Sequence, residues 1–335
     1  MSIDQSNRVD TVRLQNMSRA FIGSASLFAA IDLQLFTSVS EGDNTVSLFA
    51  QRAEISEVNA DRLMTMCAAS GLLIWQKDHF ENANDVQRFL VKGEKSYAAA
   101  WLTFTRPAWA GWGKLTEKLQ NANPATVIGS YKTMTVDAAR QYHEATASVG
   151  FGAGRRFIKQ VDLSRRKKMM DLGGGSGAYS IVAAKAHPGL KAVVFDLPPV
   201  VEVTKEFIAN NNIEERVSTQ AGDFTKDNFP EECDIVVMAS NLPQYNREII
   251  NQVIAKAYNS LLPGGEMHLI GEILDDDRAG PLDAAIWGLY ETMSNSTGVT
   301  HTRADCVSYF EQAGFRQVQV HDFVPGILVR VCGTK

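Results

Sequence analysis

Apolar residues recur along this chain in two rhythms, and each predicts a different half of the fold. Over residues 21–36, Phe21, Leu27, Phe28, Ile31, Leu35 and Phe36 crowd one broad side of a helix, wider than a single buried face needs. The excess predicts burial on two sides. Residues 46–50 and 59–71 read as two further helices, the second ended by Gly71. Residues 72–75 and 79–82, parted by the polar turn Lys77-Asp78, predict a small β-hairpin wing, and a further helix is expected over 138–148.

From residue 169 onward the rhythm changes. Continuous apolar runs at 169–172, 190–196, 233–239 and 267–274 alternate with helical stretches at 178–187 and 249–262, the latter stopped by Pro263-Gly264-Gly265. Such runs suit strands covered on both faces, as in a parallel sheet. The last two, 316–321 and 327–332, are joined through Pro325-Gly326 and read as an antiparallel hairpin. The expected class is α/β: a Rossmann-like sheet closed by an antiparallel hairpin, preceded by a mainly helical, winged-helix-like domain.

The first strand of that sheet runs into Gly173, Gly174, Gly175 and Gly177. Glycines accept positive φ and let a ligand approach the backbone, so a tight strand-to-helix turn here aims amide N–H groups at a polar or anionic cofactor. Gly173, Gly175 and Ala178 also satisfy the G-x-G-x-x-G/A dinucleotide fingerprint, and Asp196, at the tip of the next strand, suits the ribose hydroxyls that NAD and S-adenosylmethionine share. Asp171 ahead of the glycines, and Gly222-Asp223-Phe224, where a carboxylate and a ring could hold an adenine, favour the methyl donor. So does the terminal hairpin, which a plain dinucleotide fold usually lacks.

Composition narrows the partners. The chain has 335 residues, 45% hydrophobic and 21% charged, with a net charge of −5 and a pI near 5.7. A winged-helix plan raises DNA binding, and the acidic balance counts against it, since phosphate binding needs clustered cations. The one strong basic run, 165–168, reads as a solvated edge. Residues 1–16 lack the apolar core of a signal peptide, and no run of about 20 apolar residues could span a bilayer. A cytoplasmic protein without membrane contact is expected. Cys67, Cys233, Cys306 and Cys332 are scattered, which indicates neither a disulfide framework nor a metal site and predicts four small buried hydrophobes.

Together, Asp171-x-Gly-x-Gly-x-Gly177, Asp196 and Asp223-Phe224 resemble class I S-adenosylmethionine-dependent methyltransferases. Residues 28–36 and 69–73 resemble the N-terminal dimerisation domain of the plant-type O-methyltransferase superfamily, so the likeness covers nearly the whole chain. It implies a homodimer formed through the N-terminal domain, with residues 1–100 as dimerisation domain, 101–160 as connecting helices lining an acceptor pocket and 161–335 as cofactor domain. It assigns S-adenosylmethionine, with no metal, to Asp171, Gly173, Gly175, Asp196, Leu197, Asp223, Phe224 and Ala239.

The same likeness exposes a departure. Members carry a Leu-His-Asp-Trp segment after the fourth strand, whose histidine takes the proton from the acceptor hydroxyl. Here the segment is Asn241-Leu-Pro-Gln-Tyr-Asn246, with Pro243 in the histidine's place. A positioned base contributes about 10²–10⁴-fold to methylation of a hydroxyl, whereas a thioether has no proton to lose. The chain therefore resembles bacterial enzymes that S-methylate 4-methylthio-2-hydroxybutyrate on the route to dimethylsulfoniopropionate. By that resemblance the partner is a small thioether acid. Tyr142, His143 and His301 face the reaction, with Gln244, Asn295 and Thr300 binding the acceptor and Trp101 offering a π face to the sulfonium. Two other readings stay open: an O-methyltransferase with His143 or His301 as base, and a non-catalytic dimeric regulator that binds the cofactor.

Overall fold

The computed structural model describes residues 9–129, 131 and 133–335. Two compact units divide the chain, one through Phe104 and one from Thr105 to Lys335. In the first, helices α1 (Val12–Asp32), α2 (Leu35–Ser40), α3 (Val46–Arg52) and α4 (Glu57–Ala69) lead into an antiparallel hairpin of β1 (Leu73–Gln76) and β2 (His79–Asn82). Short helices α5 (Asn84–Leu90) and α6 (Ala99–Leu102) follow. Thr45 and Ser56 cap α3 and α4 by accepting from the N–H groups of Leu48 and Asn59.

The single helix expected over 21–36 is in fact two. Gln34, at φ 55°, turns the chain between α1 and α2, and the turn sends Leu35 and Phe36 into a core with Phe49, Met64, Cys67 and Phe80. Leu27 and Ile31 pack on that core. The second buried side does not exist within this unit: Leu14, Met17 and Phe21 on the N-terminal half of α1 are exposed, Phe21 at 61%.

The second unit begins with short helices α7 (Trp109–Trp112) and α8 (Leu115–Leu119) and the long α9 (Val136–Gln160). Strands and helices then alternate: β3 (Lys168–Leu172), α10 (Ala178–Ala186), β4 (Lys191–Asp196), α11 (Pro198–Asn210), β5 (Val217–Ala221), β6 (Cys233–Ala239), α12 (Arg247–Ser260), β7 (Leu261–Gly271), α13 (Leu282–Tyr290), α14 (Arg303–Ala313), β8 (Arg316–Val324) and β9 (Leu328–Thr334). The sheet order is β5-β4-β3-β6-β7-β9-β8. Strands β3 to β7 are parallel, and β9 and β8 close the edge antiparallel, as the terminal hairpin pattern predicts.

Alternation within the apolar runs builds two cores, one on each face. Met170, Phe195, Val236 and Met238 feed one, with Ile250, Ile254 and Phe310 from α12 and α14. Met169, Val194, Ile235 and Val237 feed the other, with Phe157 and Ile181 from α9 and α10. Each such side chain contributes about 1.5–3 kcal/mol by leaving water, so neither face can be exposed without losing the sheet.

Three expectations need correction. Pro263-Gly264-Gly265 does not separate helix from strand: α12 has already ended, and the three residues form an irregularity inside β7, where the register shifts opposite Cys233 and Ile235. Gly264 and Gly265 are held there by backbone bonds to Lys335. The basic run is partly tied down, because Arg166 pairs with Glu266 at 2.6 Å and Lys168 Nζ donates to the Glu231 carbonyl. Cys67, Cys233 and Cys306 are buried, while Cys332 is only half-buried. Among the described residues no helix is long and apolar enough to cross a membrane.

Candidate active site

The parallel strands deliver their C-terminal ends to one edge, and the strand order reverses between β3 and β6. Ligands of open α/β sheets bind outside the strand ends at such a reversal. The glycine turn leaves β3 there. Gly173, Gly175 and Gly177 have φ of 65°, 55° and 71°, values that an L side chain adopts only with strain. Space forbids a side chain as well: a Cβ on Gly173 would lie 2.7 Å from Asn241 Nδ2, and one on Gly175 would lie 2.5 Å from Cε1 of His143.

Polar groups lock the turn from three sides. Beneath it, fully buried Asp171 accepts from Ser180 N–H at 3.2 Å and Ser180 Oγ at 2.9 Å, fixing the first turn of α10. Burial pushes its carboxyl up to about 6. Its carboxylate is thus engaged below the turn. On the second side, Asp196 accepts from Gly175 N–H at 2.8 Å through one oxygen and from Leu197 N–H at 2.7 Å through the other. Across the reversal, Asn241 Nδ2 donates to the carbonyls of Gly173 at 3.1 Å and Ala239 at 2.9 Å.

This turn fits the nucleoside part of a cofactor. Asp196 lies deep in the fold yet keeps accessible surface, and burial raises its carboxyl to about 6 against the opposing pull of the two amides. Each oxygen has one amide partner, which leaves lone pairs for ribose hydroxyls. Asp223 accepts from the Thr225 N–H and Oγ at 2.9 and 2.6 Å. That turn sets Phe224 between the turn at Gly173 and the ring of Tyr245, whose centroid lies 5.0 Å away. Leu197 caps α11 with its N–H on Asp196, and Ala239 ends β6 half-buried.

Next to this cradle stand Tyr142 and Glu272, each partly covered; burial raises the Tyr142 hydroxyl, and the negative charges of Glu272 and Asp196 add to the shift. Tyr131 joins them, its hydroxyl 3.2 Å from that of Tyr142. Burial pushes the Glu272 carboxyl up to about 7, with the negative charge of Asp283 adding to the shift. His143 sits beside Gly175, edge-on to the Tyr142 ring at 4.9 Å. Burial depresses its imidazole to about 4, so it is neutral at pH 7.

The remaining acceptor candidates scatter. His301 is completely buried, and its Nδ1 and Nε2 lie 2.9 Å from the Tyr309 hydroxyl and the Tyr245 carbonyl. A carbonyl can only accept, so Nε2 carries the proton and Nδ1 accepts from Tyr309; burial again depresses the ring to about 4. Thr300 packs on Gly288 of α13, and Asn295 is an exposed left-handed turn residue at φ 53°. Gln244 is buried beside the glycine at 298. Trp101 belongs to the first unit, where it stacks on Phe104 at 5.6 Å. Thr302 caps α14 through a capping box, and Arg303 is paired with Asp275 and Asp322.

Sequence reasoning passed over Tyr131, Asn241, Glu272 and Glu291. Asn241 and Glu272 carried a signal, each a polar residue just past an apolar strand. Tyr131 and Glu291 lie in irregular segments where no periodicity points inward.

Family models match both units: an O-methyltransferase dimerisation domain over residues 15–92 and an O-methyltransferase domain over residues 114–316. The chain belongs to the O-methyltransferase family. It is an S-adenosylmethionine-dependent methyltransferase. It is 30% identical, over 96% of its length and 94% of the relative's, to the 3-hydroxy-5-methyl-1-naphthoate 3-O-methyltransferase of Streptomyces sahachiroi. An N,N-dimethyltransferase of Streptomyces rimosus is 26% identical over 90% of each chain. Among solved structures, human N-acetylserotonin methyltransferase in complex with S-adenosylmethionine covers 98% of this methyltransferase and 99% of its own chain at 26% identity and a TM-score of 0.82.

Proposed function

We propose that this methyltransferase methylates the thioether sulfur of a small hydroxy acid, with 4-methylthio-2-hydroxybutyrate as acceptor, and acts as a homodimer through its N-terminal unit. The observation that carries the reading is the state of the imidazoles around a proline. Pro243 follows β6, His301 has both nitrogens engaged, and His143 is a neutral ring against the glycine turn. His301 is therefore occupied, and His143, held near 4 by burial, is a weak base for a hydroxyl proton. When bound, S-adenosylmethionine supplies an electrophilic methyl carbon on a sulfonium. A thioether lone pair attacks that carbon without releasing a proton, so this chain's part is to orient the sulfur, exclude water and face the migrating positive charge with rings and carbonyls. Tyr142, Tyr131 and His143 supply the rings. The N,N-dimethyltransferase among the relatives supports a scaffold in which the attacked atom is not fixed by the fold.

A second reading rests on Glu272. A carboxyl titrating near 7 close to Tyr142 could serve as base for a hydroxyl acceptor, in line with the relatives named as O-methyltransferases. The purified protein, incubated with S-adenosylmethionine and either 4-methylthio-2-hydroxybutyrate or a panel of hydroxyarenes, separates the two by S-adenosylhomocysteine release and product mass. The thioether reading expects a dimethylsulfonio product. Turnover of hydroxyarenes alone would overturn it, and no release with any acceptor would leave a cofactor-binding regulator.

A further inference from the structure

The loop that carries Phe224 is fastened from inside and from outside. Inside it, Asp223 donates its N–H to the Asp227 carboxylate at 2.8 Å and accepts from Thr225, and the N–H groups of Lys226 and Asp227 return to the Asp223 carbonyl at 2.9 and 2.8 Å. These bonds hold the loop's shape. Its place is held from α12, where Lys256 Nζ donates to the Phe224 carbonyl at 2.8 Å and stands over the Phe229 ring, 4.4 Å from its centroid. Phe229 in turn packs edge-on against Phe195 of β4 at 5.5 Å. The Phe224 carbonyl lies outside any strand, so the lysine replaces the ladder bond it lacks, and an ammonium donor makes a stronger bond than a neutral one. The ring on this anchored backbone borders the glycine turn: a Cβ on Gly173 would lie 3.1 Å from Phe224 Cε1.

We infer that Lys256 is a positioning residue for the cofactor: by holding the Phe224 carbonyl it sets where the Phe224 ring stands beside the glycine turn, and with it the affinity for the adenine end of S-adenosylmethionine. A flat base is bound by close contact with a fixed face. Without the lysine the loop would have to be ordered on each binding event, which lowers affinity. The inference rests on the nucleoside site assigned above to the glycine turn, Asp196 and Phe224, and is independent of the acceptor.

Calorimetry with S-adenosylhomocysteine and with adenosine tests it. Lys256→Met keeps the aliphatic stem and removes donor and charge; it should weaken both ligands by about tenfold, because both carry the adenine. Lys256→Arg still donates and should return affinity to within about threefold of wild type, and Lys256→Gln, a milder change with a neutral donor, should fall between the two. Phe224→Ala should weaken S-adenosylhomocysteine by itself, and in that background Lys256→Met should add little, since no ring is left to place. Circular dichroism and thermal unfolding of the ligand-free proteins report whether each variant folds. Wild-type affinity in folded Lys256→Met or Lys256→Gln, with Phe224→Ala weakened, would overturn the role of the lysine and leave the nucleoside site standing. Wild-type affinity in Phe224→Ala would show the site itself to be misplaced and remove the inference with it. A loss that persists in full in the Phe224→Ala background, or that arginine fails to rescue, would equally overturn it.

Discussion

Replacing the Asp196 carboxylate with an amide, Asp196→Asn, should separate stability from cofactor binding. The folded carboxyl titrates near 6 against about 3.9 for a free one, so burying its charge costs up to about 3 kcal/mol at pH 7. The amide side chain would remove that cost and lose one of the two charge-assisted backbone bonds, each worth about 1.5–3 kcal/mol. The opposing changes nearly cancel, and the ligand-free variant should stay folded. Its pH response should differ. Between about pH 4 and 6 the folded Asp196 holds more proton than the unfolded one, so its share of stability falls as pH rises through that window; the variant loses that share and keeps those of Asp171 and Glu272, whose carboxyls are raised likewise. Cofactor affinity should not be spared, because the ionised acceptor for ribose hydroxyls is gone. Calorimetric titration with S-adenosylhomocysteine at about pH 7.5 should show a loss of about tenfold to a hundredfold. Binding to the wild type should weaken below about pH 6, where the carboxyl protonates, and binding to the variant should not. Affinity of the variant within about threefold of wild type, or an unchanged pH dependence, would refute the role assigned to Asp196.

Gly175→Ala should destabilise the second unit by about 1–3 kcal/mol, from strain at φ 55° and the clash with His143; adding His143→Ala should restore only the packing part, as thermal unfolding would show. Tyr309→Phe strands the His301 Nδ1 acceptor and should cost about 1–3 kcal/mol in stability while leaving kcat within a few-fold; a kcat collapse in folded protein would mean that His301 does chemistry. For the pH–rate profile of kcat, thioether transfer should be level from about pH 6 to 9, whereas a Glu272 base must be ionised and would make the rate rise through about pH 7 and vanish in Glu272→Gln.

The chain's own pattern determined the glycine turn, the strand ending in Asp196, the Asp223-Phe224 step and the closing hairpin. All are short-range features: a positive-φ turn needs glycine, a doubly covered strand needs an unbroken apolar run, and a residue at a strand's end is aimed by the strand. Pro243 was legible for the same reason, standing a few residues past a recognisable strand. Tertiary structure alone decided what the polar residues do. His301 looked like a pocket histidine by position, yet both ring nitrogens are consumed by Tyr245 and Tyr309, which only folding brings near. Tyr131 meets Tyr142, and Gln244 and Glu291 both close on Gly298, across stretches of chain that share no period. A side chain's chemistry depends on its partners and its distance from water, and those are properties of the packed protein that a linear pattern does not carry.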